Sequence, residues 1–342
     1  MEIHHRTDRS IFSLVLQTLI RPFKPRLVAP KSTFPAGSPR LKHDRKINRA
    51  VRVVERQQQD IWLYDITAHN NSENNNNNNN SIRSSNYAAP PPRRRLRMYY
   101  IAGGGWQSPP SGQHWKFCAE LVRNVPGLTV TVVSAPLAPS SPAVTAFPVL
   151  RRLFASLLKQ GARDGEQAIL AGDSSGGNLV LCLALDSLRS EEDTGNTTSP
   201  KPLALLAISP AVDLRPMETW GKEMQVLARR DPVLTVGSHN GEAAAWAAGV
   251  DPACAWISPA AAADDVGGVL ARAGVRLIGV TGGYDILAPA ALGFRDACAA
   301  QGVGGAWLHW ERQMHCFPLA FMYGLPEAVG AKDWVVEQIR GL

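Results

Sequence analysis

From residue 98 onward, short apolar runs recur along the chain, separated by longer stretches whose apolar residues follow helical spacing. Continuous apolar runs of this length are typical of strands buried on both faces of a parallel sheet. The runs predict strands over residues 98–102, 128–134, 167–171, 203–209, 275–281 and 306–311. The intervening stretches predict helices over residues 114–123, 143–160, 177–188, 289–301 and 327–339.

Strands that alternate with helices favour an α/β fold, in which helices cover both faces of a parallel sheet. Upstream, residues 51–55 and 61–66 are rich in β-branched and aromatic side chains and predict an antiparallel hairpin. We therefore expect a mostly parallel central sheet of about eight strands. Ligands bind at the carboxyl ends of the strands in such sheets, so the chemistry is expected at that edge.

Two internal stretches do not fit the alternation. Residues 67–94 contain "NNSENNNNNNNSIRSSN" followed by "PPPRRR", a composition that predicts a disordered insertion. Residues 212–250 contain no strand-like run, whereas "MQVLARRD" and "NGEAAAWAAGV" favour helices. This second stretch predicts a helical insertion that caps the sheet.

The apolar run "IFSLVLQTLI" (residues 11–20) lies between basic residues near the start of the chain. It is too short to span a bilayer, which takes about 20 apolar residues. The sequence after it, beginning Arg21-Pro22, lacks the small residues of a signal-peptide cleavage site. Two interpretations stay open: a helix packed on the body of the protein, or an interfacial helix that contacts a membrane surface.

Charge is distributed unevenly within the net +7. Residues 1–100 hold 18 Lys and Arg against 7 Asp and Glu, whereas the rest of the chain holds 18 against 22. The excess positive charge therefore belongs to the N-terminal part. Because no nucleic-acid-binding module accompanies it, we expect no nucleic-acid partner.

The cysteines are odd in number and widely spaced, without C-x-x-C pairs. This pattern argues against a disulfide framework or a zinc site and favours a reducing compartment. We expect a cytoplasmic protein, with peripheral membrane contact possible only through the N-terminal segment. The five cysteines are Cys118, Cys182, Cys254, Cys298 and Cys316.

The stretch "AGDSSGGN" places Ser174 at the centre of a G-x-S-x-G pattern between a predicted strand and a predicted helix. In this context the pattern is typical of a nucleophile elbow, a sharp turn that exposes a serine at the top of a sheet. The turn needs small neighbours, and Gly172, Gly176 and Gly177 supply them. Ser174 is therefore the candidate nucleophile.

A nucleophilic serine needs a histidine base, and in this arrangement the base follows the serine in the chain. Three histidines follow Ser174. His309 lies inside a predicted strand, and His239 lies in the predicted insertion. His315 comes just after the last strand, where a loop can turn it over the site, so elimination leaves His315 as the base.

The acid that orients the base is expected in the loop after the preceding strand. Asp285 lies in the stretch "TGGYDIL", directly after the strand over 275–281. Asp213, which follows the strand over 203–209, is the one serious rival. Three other acids are excluded because they precede the strand or lie in the following helix: Asp264, Asp265 and Asp296.

Three consecutive glycines in "YYIAGGGWQSP" follow the strand over 98–102. Glycine lets backbone N–H groups approach a substrate oxygen closely, so this loop is the candidate oxyanion hole.

These motifs together resemble the hormone-sensitive-lipase-like branch of the α/β-hydrolases, which includes carboxylesterases, arylacetamide deacetylases and steryl acetyl hydrolases. The similarity covers roughly residues 95–340 and rests on segments in the family's order: "YYIAGGGW", "APLAPSSP", "GDSSGGN", "AISPAVDL", "DPVLT", "TGGYDIL" and "MHCFPL".

The resemblance implies a function for each candidate residue. Ser174, Asp285 and His315 correspond to the catalytic triad, and Gly104, Gly105 and Ser175 to the oxyanion donors. It also implies a cap formed by residues 1–48 and 212–250, over a hydrolase domain within residues 49–342. The family's usual His-Gly-Gly-Gly motif has Ala102 in place of the histidine, which puts the rigidity of the glycine loop in question.

The resemblance predicts a serine carboxylesterase that hydrolyses short-chain or acetyl esters of a hydrophobic alcohol. Its acyl-enzyme mechanism implies no cofactor and no metal. Two alternatives stay open: a non-catalytic ligand-binding protein on the same fold, and an amidase or peptidase that uses the same three residues.

Overall fold

The computed structural model describes residues 1–24, 32–69, 95–194, 200–217 and 221–342. Its strands are β1 Glu2–Arg6, β2 Val51–Gln58, β3 Ile61–Ala68, β4 Arg95–Ile101, β5 Leu128–Val133, β6 Glu166–Asp173, β7 Ala204–Ile208, β8 Arg276–Gly282 and β9 Gly305–Trp310. Its α-helices are α1 Ile11–Ile20, α2 Gly112–Asn124, α3 Ala143–Arg163, α4 Ser174–Thr194, α5 Gly221–Arg230, α6 Val236–Trp246, α7 Ala263–Ala273, α8 Ala288–Ala300 and α9 Pro326–Arg340.

All of these strands join one sheet in the order β1-β9-β8-β7-β6-β4-β5-β3-β2. In this order, each strand from β1 at one edge through to β5 is parallel to its neighbour. The last two strands, β3 and β2, pair antiparallel at the other edge. The carboxyl ends of the parallel strands therefore meet at one edge of the sheet, where the loops after β4, β6, β8 and β9 come together.

The two faces of the sheet carry separate apolar cores. Successive residues of β4 point to opposite faces: Tyr99 joins one core and Tyr100 the other. Helices α3, α4, α7 and α8 pack on the Tyr99 face, and α2 and α9 on the Tyr100 face. Helices on both faces of a largely parallel sheet confirm the predicted α/β architecture.

The sheet has one strand more than the pattern of apolar runs predicts. The extra strand is β1, which pairs in parallel with β9 at the edge of the sheet. The segment expected to form part of a cap therefore begins with a strand of the sheet. Because β1 is an edge strand with its side chains largely exposed, its sequence EIHHR needs no apolar run, and the pattern of apolar residues does not reveal it.

The predicted helix over residues 11–20 is α1. No helix in the described part of the chain is long and apolar enough to cross a membrane. Most of the predicted Asn-, Pro- and Arg-rich insertion, residues 70–94, lies outside the described residues.

Candidate active site

Ser174 lies at the sharp turn between β6 and α4. Its φ is 51°, in the left-handed region that side chains rarely occupy. The glycines around it leave no space for a side chain: a Cβ at Gly172 would lie 2.5 Å from the carbonyl of Gly176, and one at Gly176 would lie 2.0 Å from the oxygen of Ile101. This strained turn has the geometry expected of a nucleophile elbow.

Asp285 and His315 meet at the same edge of the sheet, from the loops after β8 and β9. Oδ2 of Asp285 lies 2.8 Å from Nδ1 of His315, and both side chains are buried. The amide of Leu287 donates to the other carboxylate oxygen at 2.9 Å. The carboxylate is therefore held where it can fix the tautomer and orientation of the imidazole.

Close packing of their backbones holds the two loops together. The amide of Tyr284 donates to the carbonyl of Gln313 at 2.8 Å. A Cβ at Gly282 would lie 2.4 Å from that same oxygen, so the approach requires glycine there. The two glycines before Tyr284 thus serve the contact between the loops.

The surroundings of His315 act on its pKa in opposite directions. Burial lowers the pKa, but the Asp285 carboxylate outweighs it, and the pKa lies well above its usual value. A general base must be neutral to accept a proton. The geometry thus makes His315 a strong base whose neutral form is favoured only at higher pH.

In the described structure, no hydrogen bond joins Oγ of Ser174 to Nε2 of His315. Instead Nε2 lies 3.4 Å from Sγ of Cys316, whose φ is 49°. Burial raises the pKa of the Cys316 thiol to about 12, so the thiol stays protonated and can donate its S–H. Catalytic hydrogen bonds are often long before substrate binds, so this contact is compatible with His315 as the candidate base.

The rival residues are engaged elsewhere. The carboxylate of Asp213 binds the side chain and the amide of Arg215. His309 lies in β9, where its Nδ1 is 3.1 Å from Oγ1 of Thr281. Of the two acids considered, Asp285 is the one that contacts His315.

A buried carboxylate beside Ser174 anchors the glycine loop. Oδ1 of Asp173 accepts hydrogen bonds from the amide of Gly103 at 3.0 Å and from the hydroxyl of Tyr100. Nε2 of His114, on α2, donates to Oδ2 at 3.2 Å, while its Nδ1 accepts from the amide of Ser111. The loop is thus held without the histidine that Ala102 replaces.

These contacts keep Asp173 ionised. Burial alone would raise its pKa, but His114 and the hydrogen bonds from Tyr100 and Gly103 hold the pKa below its usual value.

The next two glycines have unpaired amides. Gly104 and Gly105 both have positive φ, at 136° and 60°, and the carbonyl of Gly104 accepts from Gln107 and Ser108. Within the described chain, neither glycine amide donates a hydrogen bond to protein. The buried Ser175 lies directly after the elbow, at the amino end of α4. These backbone donors beside Ser174 suit an oxyanion.

A sequence profile described as alpha/beta hydrolase fold matches residues 98–319, more than half of the chain. The chain belongs to this family. The α/β-hydrolase assignment that the sequence motifs suggested is thereby confirmed. No curated protein matches the chain by sequence.

Solved α/β-hydrolases are similar to the whole chain in fold. An esterase from the bacterial hormone-sensitive lipase family is 22% identical, with a TM-score of 0.70 and coverage of 98% of this chain and 99% of its own. The esterase EstE5, soaked with p-nitrophenyl butyrate, is 21% identical, with a TM-score of 0.70 and coverage of 97% and 98%. A putative esterase from Staphylococcus aureus is 19% identical, with a TM-score of 0.67 and coverage of 88% and 87%.

In this α/β-hydrolase, helix α6 of the predicted cap adds two titratable groups that the motifs do not single out. A Cβ on Gly105 would lie 2.3 Å from the carboxyl carbon of Glu242, so this carboxyl rests against the glycine loop. Burial raises the pKa of Glu242 to about 7. His239, one turn earlier, is buried, and its Nε2 has no partner among the described residues.

Desolvation and the nearby His315 lower the pKa of His239 to about 4, so it stays neutral. The i, i+3 spacing puts His239 and Glu242 on one face of α6. This is the one signal that could have paired them from the sequence.

A second buried acid supports the loop that carries Asp285. Oδ2 of Asp231 accepts from the amide of Ile286 at 3.0 Å, and Oδ1 accepts from the amides of Val233 and Leu234. Burial and the neighbouring Asp285 carboxylate raise the pKa of Asp231 to about 6. Asp231 opens the "DPVLT" segment, which ties the insertion to the catalytic loop.

Proposed function

We propose that the protein is a serine carboxylesterase of the hormone-sensitive-lipase-like branch. One observation carries the proposal: a strained serine, a buried Asp–His pair and a loop with unpaired amides meet at one edge of the sheet. An acyl transfer needs these three parts, and a binding protein needs none of them.

In the proposed reaction, Oγ of Ser174 attacks the ester carbonyl carbon and its proton passes to Nε2 of His315. Asp285 holds the imidazole through Nδ1 and stabilises the imidazolium. The amides of Gly104, Gly105 and Ser175 bind the oxyanion. The intermediate then collapses, and the alcohol leaves with the proton from Nε2.

Water completes the cycle. His315 removes a proton from the water as it attacks the acyl-enzyme, and the second tetrahedral intermediate releases the acid and the free Ser174 hydroxyl. All of these proton transfers use groups of the chain itself.

Aromatic packing beside the glycine loop supports a hydrophobic ester with a short acyl group. Trp106, which directly follows Gly105, is buried and stacks on Trp246 of α6 with ring centroids 6.1 Å apart. The bulk of this pair and of Glu242 limits the space beside the oxyanion loop. Short-chain or acetyl esters of a hydrophobic alcohol therefore suit the site.

We further propose that residues 1–48 and 212–250 form a cap, apart from strand β1. Helix α6 supports this, because its His239 and Glu242 reach the catalytic edge. A cytoplasmic location is supported by the free state of the five cysteines.

The test is covalent labelling by a fluorophosphonate probe, followed by hydrolysis of p-nitrophenyl esters of increasing acyl length. We expect labelling of the wild-type chain at Ser174, none in Ser174→Ala, and kcat/KM that falls as the acyl chain lengthens. The variant should lose about 10⁴-fold or more in kcat while keeping its melting temperature.

Each rival predicts a different outcome. An amidase or peptidase would label equally but prefer anilide substrates over the matched esters. A non-catalytic protein would neither label nor hydrolyse any of them.

A further inference from the structure

Helix α1 packs with its two most polar buried residues against the protein, beside the partly buried Leu16 and Ile20, and turns most of its apolar side chains outward. Its two buried side chains are Ser13 and Gln17, at 1% and 2% exposure. The exposed side chains are large and apolar, with 46% to 79% of their surface accessible: Ile11, Phe12, Leu14, Val15 and Leu19. A surface helix ordinarily has the opposite orientation.

Specific polar contacts fix this orientation. The hydroxyls of Ser10 and Ser13 donate to the buried carboxylate of Glu327, and the Ser10 amide also contacts it. Nε2 of Gln17 donates to Oε1 of Gln313 at 3.3 Å. Turning the apolar side inward would leave Glu327 without partners, which is costly for a buried charge. The outward apolar face is therefore a built feature of the fold.

The apolar side chains lie on one side of the helix, together with the exposed Thr18, whose hydroxyl donates to the carbonyl of Leu14. Phe23, in the short 3₁₀ helix that follows α1, adds a sixth exposed apolar side chain. Elsewhere in the described chain, large exposed apolar residues are scattered: Ile3, Val54, Val144, Val226 and Tyr323. A concentrated apolar face marks an interaction site, whereas single exposed residues do not.

Basic groups lie beside the carboxyl end of this face. The side chain of Arg21 donates to the carbonyl of Arg230, and Nζ of Lys24 donates to that of Ala228, which places both beside the basic end of α5. The guanidinium of Arg9 lies instead on the protein-facing side of α1, where it donates to Oε1 of Gln17 at 2.8 Å. The acids in this region do not cancel the positive charge. Asp8 pairs with Arg6, Glu327 is buried, and Glu223 lies in the first turn of α5, away from its basic end.

We propose that the outer face of α1 docks on a bilayer that contains anionic phospholipid. An apolar helix face with a basic rim is the pattern of an interfacial helix, whose apolar side enters the boundary between headgroups and acyl chains. A second copy of the chain fits less well. A two-fold dimer would bring two copies of this net-positive face into one interface, which is repulsive.

Docking there would place the catalytic edge at the membrane. Gln17 contacts Gln313, two residues before His315, and the guanidinium of Arg9 lies 5.4 Å from the ring of Tyr284, next to Asp285. The polar side of α1 thus rests on both catalytic loops. On the proposed esterase function, a lipid-soluble ester would reach the site from the bilayer.

The experiment is co-sedimentation of the full chain with vesicles of phosphatidylcholine, with and without phosphatidylserine. We expect binding only with phosphatidylserine, weakened by added salt. The variant Ile11→Ser/Val15→Ser/Leu19→Ser should bind about tenfold or more weakly. Removing the rim charges in Arg21→Gln/Lys24→Gln should cost about fivefold per charge. The control Val54→Ser/Val144→Ser removes exposed apolar residues elsewhere and should bind like the wild type.

Two outcomes would overturn the proposal. One is equal or absent sedimentation with both vesicle types. The other is a dimer in analytical ultracentrifugation that the triple variant dissociates while vesicle binding is unaffected, which would assign the face to a second copy.

A failure of the proposed esterase function can be distinguished from a failure of the membrane proposal. Ser174→Ala should bind vesicles normally, and the triple variant should hydrolyse soluble p-nitrophenyl acetate like the wild type.

Discussion

At His315, burial and the Asp285 carboxylate act on the pKa in opposite directions, and the carboxylate prevails. In the proposed mechanism the neutral imidazole is the active form, so activity should be lost as the pH falls through this raised pKa. Asp285→Asn removes the charge that raises the pKa. We expect kcat to fall about 10⁴-fold, and the acid limb of the residual kcat/KM profile to move to lower pH.

Asp213→Asn is the matched control, since Asp213 binds Arg215 and not the base. It should leave the acid limb in place and cost far less activity. A larger loss in Asp213→Asn than in Asp285→Asn would reassign the acid.

Glu242 predicts an alkaline limit on activity. Its carboxyl has a pKa of about 7 and rests against Gly105, one of the proposed oxyanion donors. Above this pKa the carboxylate is ionised. A carboxylate and an oxyanion that lie a few ångströms apart repel each other by about 1 kcal/mol or more. We expect Glu242→Gln to match the wild type below about pH 6 and to exceed it roughly tenfold at alkaline pH.

The kcat/KM profile from acid to alkaline pH measures this effect, with Glu223→Gln, an exposed acid of α5, as the control. An unchanged alkaline limb in Glu242→Gln would show that the carboxyl lies away from the oxyanion during turnover.

Among single residues, the order of the strands along the chain is enough to predict that Asp285 and His315 lie close together. Each follows a strand with a strong apolar pattern, so its place at the catalytic edge follows from the fold. Glu242 and Cys316 carry no such signal. Their influence arises from distances across the fold, between α6 and the glycine loop and between a thiol and Nε2.

At the scale of elements, the contact between α2, β6 and the loop after β4 sets the position of the oxyanion donors. Asp173, the last residue of β6, receives hydrogen bonds from His114 of α2, Tyr100 of β4 and Gly103 of the loop after β4. Asp173→Asn retains the shape but has a single acceptor oxygen and cannot serve every donor. We expect kcat to fall about ten- to a hundredfold with KM little changed, because the loop acts mainly on the transition state.

His114→Phe provides the comparison. It removes one donor of the network and leaves the Gly103 hydrogen bond in place, so its loss in kcat should be smaller. Melting temperatures of both variants separate loop disorder from general destabilisation. A rise in KM as large as the fall in kcat would contradict a positioning function.

Among the elements, helix α1 shows what a periodic pattern leaves undetermined. The pattern locates the helix over residues 11–20 but not the side that faces the protein. Buried Glu327, which is more than 300 residues away, selects the polar side through Ser10 and Ser13. Strand β1 is undetected for a related reason, since its partner β9 and not its own composition holds it in place.

For the whole molecule, the order of the strands sets the distance between the two ends that residues 70–94 connect. Ala68 ends β3 and Arg95 begins β4, on either side of β5, at the edge opposite Ser174. Two strand spacings separate them, or about 10 Å. If residues 70–88 are deleted, the remaining residue 69 and residues 89–94 can reach about 20 Å.

We therefore expect the deletion to leave the melting temperature and ester hydrolysis unchanged, because loop-closure entropy varies slowly with length. Thermal unfolding and kcat/KM of the shortened chain measure both. A large fall in melting temperature would show that the deleted residues pack against the body.

The pairing of β1 with β9 also has a consequence for synthesis. The register joins Glu2 to Ala306, so β1 needs a partner that is made about 300 residues later. At typical rates of 5–20 residues per second, β1 waits about 15 to 60 s for that partner. The strands made in between can pair meanwhile, and this edge closes only once β9 has been made. For the same reason, α1 can contact Glu327 only after α9 has been made. The outward apolar face is thus assembled later than the strands from β2 to β8.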